Sequence, residues 1–266
     1  MGGTLVSLPM YDWPEIKAST DLLYQALRGS LEQSGFDVPD RLDRSIDVAD
    51  LWLDKRLLLA QTCGLPFVTL LKGRVALVGT PAYELNCDAG DYYSVIVVRN
   101  EAPIVSLADL AGRRFSYNET GSQSGYAALK TTLLGVKELQ GDVFETHKSG
   151  SHRLSIQAVA AGIADFAAID AVTWEIAQRH EPAAQQLRVL AKTDPTPGLP
   201  FITALRPKEE IDRIAGAVEA AIASLDEMVK AGLFLKGFRK TTIGQYEGIE
   251  SRMRNNGKHY LFKNEI

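Results

Sequence analysis

The chain has 266 residues, 45% of them hydrophobic and 23% charged, with a formal net charge of −4 at neutral pH. These values describe a soluble globular protein with enough chain for one large domain or two lobes, and they exclude disordered and fibrous classes. Lys and Arg are interspersed with acids rather than gathered in a stripe, which argues against nucleic-acid binding. No apolar run approaches the ~18 residues a membrane-spanning helix needs.

Short apolar runs alternate with helical patterns along nearly the whole chain, the signal for βα units. Leu5 to Leu8 reads as the first strand. Pro14 to Leu31 follows as a helix whose apolar side carries Ile16, Leu22, Leu23, Tyr24, Leu27 and Leu31. Next come a strand at Leu57 to Gln61, a short helix at Leu65 to Leu71, and strands at Val75 to Thr80 and Tyr93 to Val98. The pattern restarts with a short helix at Leu107 to Leu110 and a strand at Arg113 to Tyr117. A helix from about Ser122 to Gly135 follows, then a strand at Val143 to Thr146, a helix at His152 to Ala161 and a strand at Ala164 to Ile169. A helix at Ala171 to His180 and a strand at Arg188 to Ala191 complete this second run. Thr193 to Pro200 is the richest breaker segment and reads as a return linker. Beyond it lie a strand at Phe201 to Ala204 and a long helix from Lys208 to about Ala231. The polar and aromatic tail from Phe234 is expected to pack on the first lobe.

This order predicts an α/β protein of two open, mostly parallel lobes with a ligand cleft between them. Lobe 1 takes residues 1–100 and 193–266, and lobe 2 takes 101–192. Closure is expected about the strands near Val98 to Pro103 and Ala191 to Pro195. In open parallel sheets, ligands bind beyond the carboxyl ends of the strands. The residues there are polar or aromatic: Tyr11 after the first strand, Gln61 and Thr62 after the second, Thr80 and Tyr83 after the third. In the second run they are Asn118 to Ser124, then His152 and Asp170.

The segment Tyr117 to Tyr126 reads as a strand entering a helix through a Gly/Ser turn. Its helix start gathers unpaired N–H groups and the positive end of the helix dipole, joined by the hydroxyls of Ser122 and Ser124. Two readings stand side by side, an anion site and plain capping by serine. His152, beside Gly150 and Ser151, is either a ligand contact or a surface cap. Asp170 is either a ligand contact or the N-cap of the helix from Ala171. Tyr11, Tyr83 and Trp174 are either packing residues or ligand walls, and His147, His180 and His259 read as solvated. Cys63 and Cys87 lack metal-ligand or redox spacing, so no metal or cofactor is expected, and one disulfide or two thiols remain open. Nothing orients a base toward Cys63. Gln123 occupies the centre of Gly121 to Gly125, so the nucleophile-elbow pattern fails, and no Gly-Lys-Ser/Thr follows to make a P-loop.

Ser106 to Arg114 followed by Phe115 to Gly125 resembles the "DLkGk…GStSG" block of substrate-binding proteins of phosphonate, phosphite and phosphate ABC importers. Gly150-Ser151-His152 with Ile156 to Asp165 resembles the same family's "gsH…avxaVxxGxaD" block, and Ala168 to Asp170 its sequel. Met10 and Tyr11 fit its first-strand loop and Pro197 to Thr203 its return segment. The similarity spans about residues 5 to 225. The resemblance implies a type II periplasmic binding protein that clamps a small oxyanion with Ser122, Gln123, Ser124 and His152. Tyr11 would close over the ligand, and an acid at Asp170 would receive an amino substituent. Where the family carries Ser or Thr between the two serines, this chain has Gln123.

The expected function is non-catalytic capture of a small anionic ligand for an ABC permease, with no membrane insertion. The alternatives are an enzyme on the same two-lobe fold or a cytoplasmic small-molecule sensor. The start Met1-Gly2-Gly3-Thr4 lacks a basic and apolar leader, which predicts a cytoplasmic protein or a periplasmic one whose leader has been removed. If a protonated His152 balances the ligand's charge, binding weakens as pH rises.

Overall fold

A computed structural model describes residues 3–141, 143–256 and 262, and of residues 253–256 the backbone only. In chain order the elements are β1 (Leu5–Ser7), α1 (Lys17–Gln33), α2 (Val48–Leu53), β2 (Leu57–Gln61), α3 (Gly64–Val68), β3 (Val75–Tyr83), β4 (Asp91–Tyr92) and β5 (Ser94–Arg99). They continue with β6 (Arg114–Tyr117), α4 (Ala128–Leu134), β7 (Glu145–Lys148), α5 (His152–Ala160), β8 (Phe166–Asp170), α6 (Ala171–His180), β9 (Leu187–Lys192) and β10 (Thr196–Pro197). The last are β11 (Phe201–Ala204), α7 (Lys208–Ser224), α8 (Glu227–Gly232), β12 (Leu235–Arg239) and α9 (Ile243–Asn256).

The chain forms two compact units, residues 1–91 with 197–247 and residues 92–196 with 248–266. In unit 1 the sheet order is β1-β2-β11-β3-β12. β1 and β2 are parallel, whereas β11 runs antiparallel to β2 and β3, and β12 antiparallel to β3. α1 buries Leu23, Tyr24, Leu27 and Leu31 but leaves Leu22 exposed, while α7 buries Ile214, Ala217, Val218, Ala221 and Ile222. These two stripes pack on each other, and each fully buried Leu or Ile contributes roughly 1.5–3 kcal/mol. The helix expected to run on to Ala231 stops at Ser224. Leu225 turns extended and Asp226 caps a new helix by accepting from Met228 N, which leaves Met228 exposed.

In unit 2 the order is β7-β6-β8-β5-β9, with β6 parallel to β7 and β8, and β5 antiparallel to β8 and β9. Both sheets are therefore mixed, because the strands that carry the chain into and out of each unit run against their neighbours. Ile96 and Val98 of β5 sit in the same core as Phe115, Leu129, Leu133, Phe144 and Phe166. That packing places residues 92–100 in unit 2, where the sequence pattern had grouped them with the first lobe. The tail from Phe234 divides: residues 234–247 stay with unit 1 as expected, whereas Phe262 stacks on Phe115 with ring centroids 4.9 Å apart and bridges to Phe144. Residues 248–266 thus belong with unit 2. The chain passes between units at 91/92, 196/197 and 247/248, not near Val98 to Pro103. Cys63 and Cys87 form no disulfide: Cys63 Sγ lies 4.0 Å from Met10 Sδ, and Cys87 Sγ donates to Asp91 O at 3.2 Å.

No helix among the described residues is long and apolar enough to cross a membrane, and none of their His, Cys, Asp and Glu side chains group to hold a metal.

Candidate functional site

In unit 2 two helix starts are tied together. Ser149 N and Gly150 N donate to Tyr117 O and Asn118 O at 2.8 and 3.2 Å, so the loop entering α5 lies on the loop leaving β6. Gly150 makes the turn with φ of 92°, a conformation that favours glycine. Ser151 caps α5 by accepting from Leu154 N. Ser122 caps the other helix by accepting from Gly125 N at 3.0 Å, and Ala127 N donates to Ser122 O five residues back. The first turn, Gln123–Ala127, is therefore a π-turn that runs into α4, where the sequence predicted continuous α-helix. Such turns recur at functional sites.

The side chains join across this junction. His152 Nε2 lies 2.9 Å from Ser124 Oγ, and Ser94 Oγ donates to Ser124 O at 2.9 Å. Gly125 leaves no room for a side chain: a Cβ there would stand 2.0 Å from Asn118 Oδ1 and 3.1 Å from His152 Cε1. Ser122, Gln123 and Ser124 are all buried, with Gln123 only 4% exposed. Asn118 Oδ1, Gln123 Oε1 and His152 Nδ1 are sealed from solvent without a hydrogen-bond partner. A buried polar atom left unpaired costs about 1–3 kcal/mol.

His152 carries no charge here. Burial pushes its pKa down to about 4, opposed by the Ala168 backbone, and no carboxylate bonds the ring. Part of the residue stays in contact with solvent while Nδ1 does not. Burial thus favours a neutral imidazole at neutral pH over the protonated His152 that the charge-balance expectation invoked. His147, expected to be solvated, is half-buried with Nδ1 3.3 Å from Ser116 Oγ. His180 is half-buried at the end of α6, and His259 lies outside the described residues. Asp170 is the N-cap of α6, accepting from Val172 N and Thr173 N at 2.8 and 3.0 Å, and Trp174 is buried behind it in the same helix.

Unit 1 brings Tyr11, Gln61 and Tyr83 to one small pocket with Leu8, Thr20 and Phe201. The rings of Tyr11 and Tyr83 meet edge to face at 5.3 Å. Gln61 Nε2 donates to Tyr83 Oη at 3.2 Å and to Leu199 O at 3.1 Å. Thr62 is fully buried, its N–H spent on Pro200 O. Thr80 is not part of this group. Its hydroxyl shares hydrogen bonds with Thr241 and Tyr246, and Tyr246 in turn donates to Gly198 O. Ser94 and Gly125 were not singled out as ligand or positioning residues. Ser94 opens an apolar strand and carries no local signal, whereas Gly125 stood in the Gly/Ser turn itself.

A pair of α/β units, each built on a mixed five-stranded sheet, defines the periplasmic binding protein fold. Residues 48–247, about three quarters of the chain, match the family described as "ABC transporter, phosphonate, periplasmic substrate-binding protein", and the chain belongs to that family. Its members bind a substrate and are not catalysts. Solved structures share the fold. PhnD1 from Prochlorococcus marinus, in complex with methylphosphonate, is 20% identical with a TM-score of 0.73, covering 96% of this chain and 99% of that one. The binding protein component of an ABC phosphonate transporter from Pseudomonas aeruginosa is 17% identical with a TM-score of 0.73, covering 96% and 87%. XAC2383 from Xanthomonas citri, bound to ATP, is 15% identical with a TM-score of 0.71, covering 97% and 99%.

Proposed function

We propose that this chain captures a small tetrahedral oxyanion of the phosphonate type in the periplasm and presents it to an ABC permease. The observation that carries the reading is the junction of two helix starts in unit 2, held by the bond between Ser124 and His152 and lined by buried polar atoms without partners. Ser122, Gln123 and Ser124, with the first-turn N–H groups, supply donors aimed at anionic oxygens. Hydrogen bonds to a charged acceptor are worth about 1.5–3 kcal/mol each. Asn118 and His152 hold that start in shape, and Asp170 fixes the neighbouring α6. Tyr11, Gln61, Thr62 and Tyr83 are the ligand-facing residues proposed for unit 1, with Thr80 acting through Tyr246.

Methylphosphonate, found in the Prochlorococcus protein of like fold, is the first ligand to try. A thermal-shift and calorimetric panel of methylphosphonate, phosphite, phosphate and alkylphosphonates tests the reading, since a ligand that binds only the folded state raises its melting temperature. Stabilisation by at least one of them, lost in Ser122→Ala/Ser124→Ala, is the expected result. Absence of binding across the panel would overturn the reading.

A further inference from the structure

Most positive side chains near the unit 2 helix start are matched by acids. Lys148 is spent on Glu119 at 2.8 Å and Arg153 on Glu181 at 2.7 Å. Asp170, capping α6, adds a negative charge rather than a positive one. His152 bonds Ser124 and has no carboxylate to support an imidazolium. Lys130 sits seven residues along the helix from Gln123, roughly 10 Å away. Asp194 and Arg252, which line a cavity of about 20 Å³ together with Gln123, offset each other in sign. The unit 1 candidates Tyr11, Gln61, Thr62 and Tyr83 are uncharged as well.

Donors alone do not describe this site, because it also holds an unused acceptor. Gln123 is the first residue of the π-turn, and its Oε1 is sealed from solvent without a partner. Two neighbouring hydroxyls already donate elsewhere. Thr131 and Thr132 donate back to Ala127 O and Ala128 O at 3.0 and 2.9 Å, so their oxygens turn lone pairs outward too. A group that satisfies Gln123 Oε1 has to bring its own proton.

We propose that the site takes its oxyanion in the singly charged, proton-bearing form, and that Gln123 is the residue that selects it by accepting the ligand's O–H. The inference rests on the oxyanion reading above and adds the ligand's charge state. A second negative charge would be buried against dipoles and an Arg252 that shares its cavity with Asp194, and it would leave Gln123 Oε1 unpaired. The singly charged form avoids both penalties.

Calorimetry from pH 5 to 9 with methylphosphonate, inorganic phosphate and methanesulfonate tests this. For the two titratable ligands, Kd should rise about tenfold per pH unit above each ligand's own second ionisation, so the two profiles break at different pH values. Methanesulfonate, singly charged but with no proton to give, should bind at least about tenfold more weakly than methylphosphonate at pH 5. Gln123→Lys should flatten the profile by supplying the missing charge, and Gln123→Leu should erase the preference over methanesulfonate. A flat or rising affinity across the second ionisation overturns the proposal. So does a break at one common pH for both titratable ligands, which would assign the dependence to a protein group. If none of the three binds at any pH, this inference fails, and the oxyanion reading stands or falls on the wider panel with phosphite and alkylphosphonates.

Discussion

The two units treat their polar candidates in opposite ways. In unit 1 the candidates have partners within the protein: Gln61 bonds Tyr83 and Leu199, Thr62 bonds Pro200, and Thr80 bonds Thr241 and Tyr246. In unit 2 Asn118, Gln123 and His152 each keep a buried polar atom without one. The polar groups of unit 1 thus support a pair of tyrosines, whereas unit 2 keeps polar atoms unmatched, and the proposed oxyanion site is the one that would match them. Stability and binding should accordingly respond to different substitutions in the two units.

The largest effect is expected where a backbone leaves no space. In unit 1, a Cβ at Gly79 would stand 2.2 Å from Phe238 Cζ and 2.7 Å from Arg239 O, and the second of these is backbone that cannot move aside. Gly79→Ala should cost about 3 kcal/mol of stability, measured by urea unfolding. Its effect on the ligand affinity of the remaining folded protein should be small. Gly125→Ala in unit 2 reverses that balance. The Asn118 side chain has to swing away from the helix start, and ligand affinity should fall by tenfold or more with a stability loss of about 1–3 kcal/mol. Equal losses of affinity from the two alanines would break the comparison.

His152 sharpens it through pH. Its pKa is about 6.5 in the unfolded chain and about 4 in the fold, so the unfolded state binds the extra proton. Its contribution is complete above pH 6.5, is lost as pH falls towards 4, and changes no further below that. The fall amounts to about 2–3 kcal/mol, and comparing unfolding curves of the wild type and His152→Gln at pH 7 and pH 4 isolates it. The smallest effect belongs to Tyr83→Phe. It removes one acceptor of Gln61 Nε2, which keeps Leu199 O, so stability should drop by no more than about 1 kcal/mol.

Much of this molecule was legible in its residues because the local patterns were strong. The strands Leu57–Gln61 and Phe201–Ala204 and the helix Ala171–His180 fall where apolar runs and periodicity put them. Ser124 and His152 stand out from helix-start chemistry, and their side chains meet at 2.9 Å. What escaped is non-local. Strand direction in the mixed sheets depends on which partner a strand meets, not on its own residues. Phe262 joins unit 2 because an aromatic cluster of Phe115, Tyr126 and Phe144 awaits it. The partner of the Thr80 hydroxyl, Tyr246, lies 166 residues later, beyond any local pattern. The break in the long helix had a local signal in Asp226, which apolar spacing through Met228 outweighed.

The most direct test of the unit 2 site is a ¹⁵N–¹H correlation titration with methylphosphonate. The largest shifts should fall on the backbone amides of Gln123, Ser124, Gly125 and His152. Shifts confined to the Tyr11, Gln61 and Tyr83 surface, with those four amides unmoved by a bound ligand, would contradict the assignment of the oxyanion to this helix start.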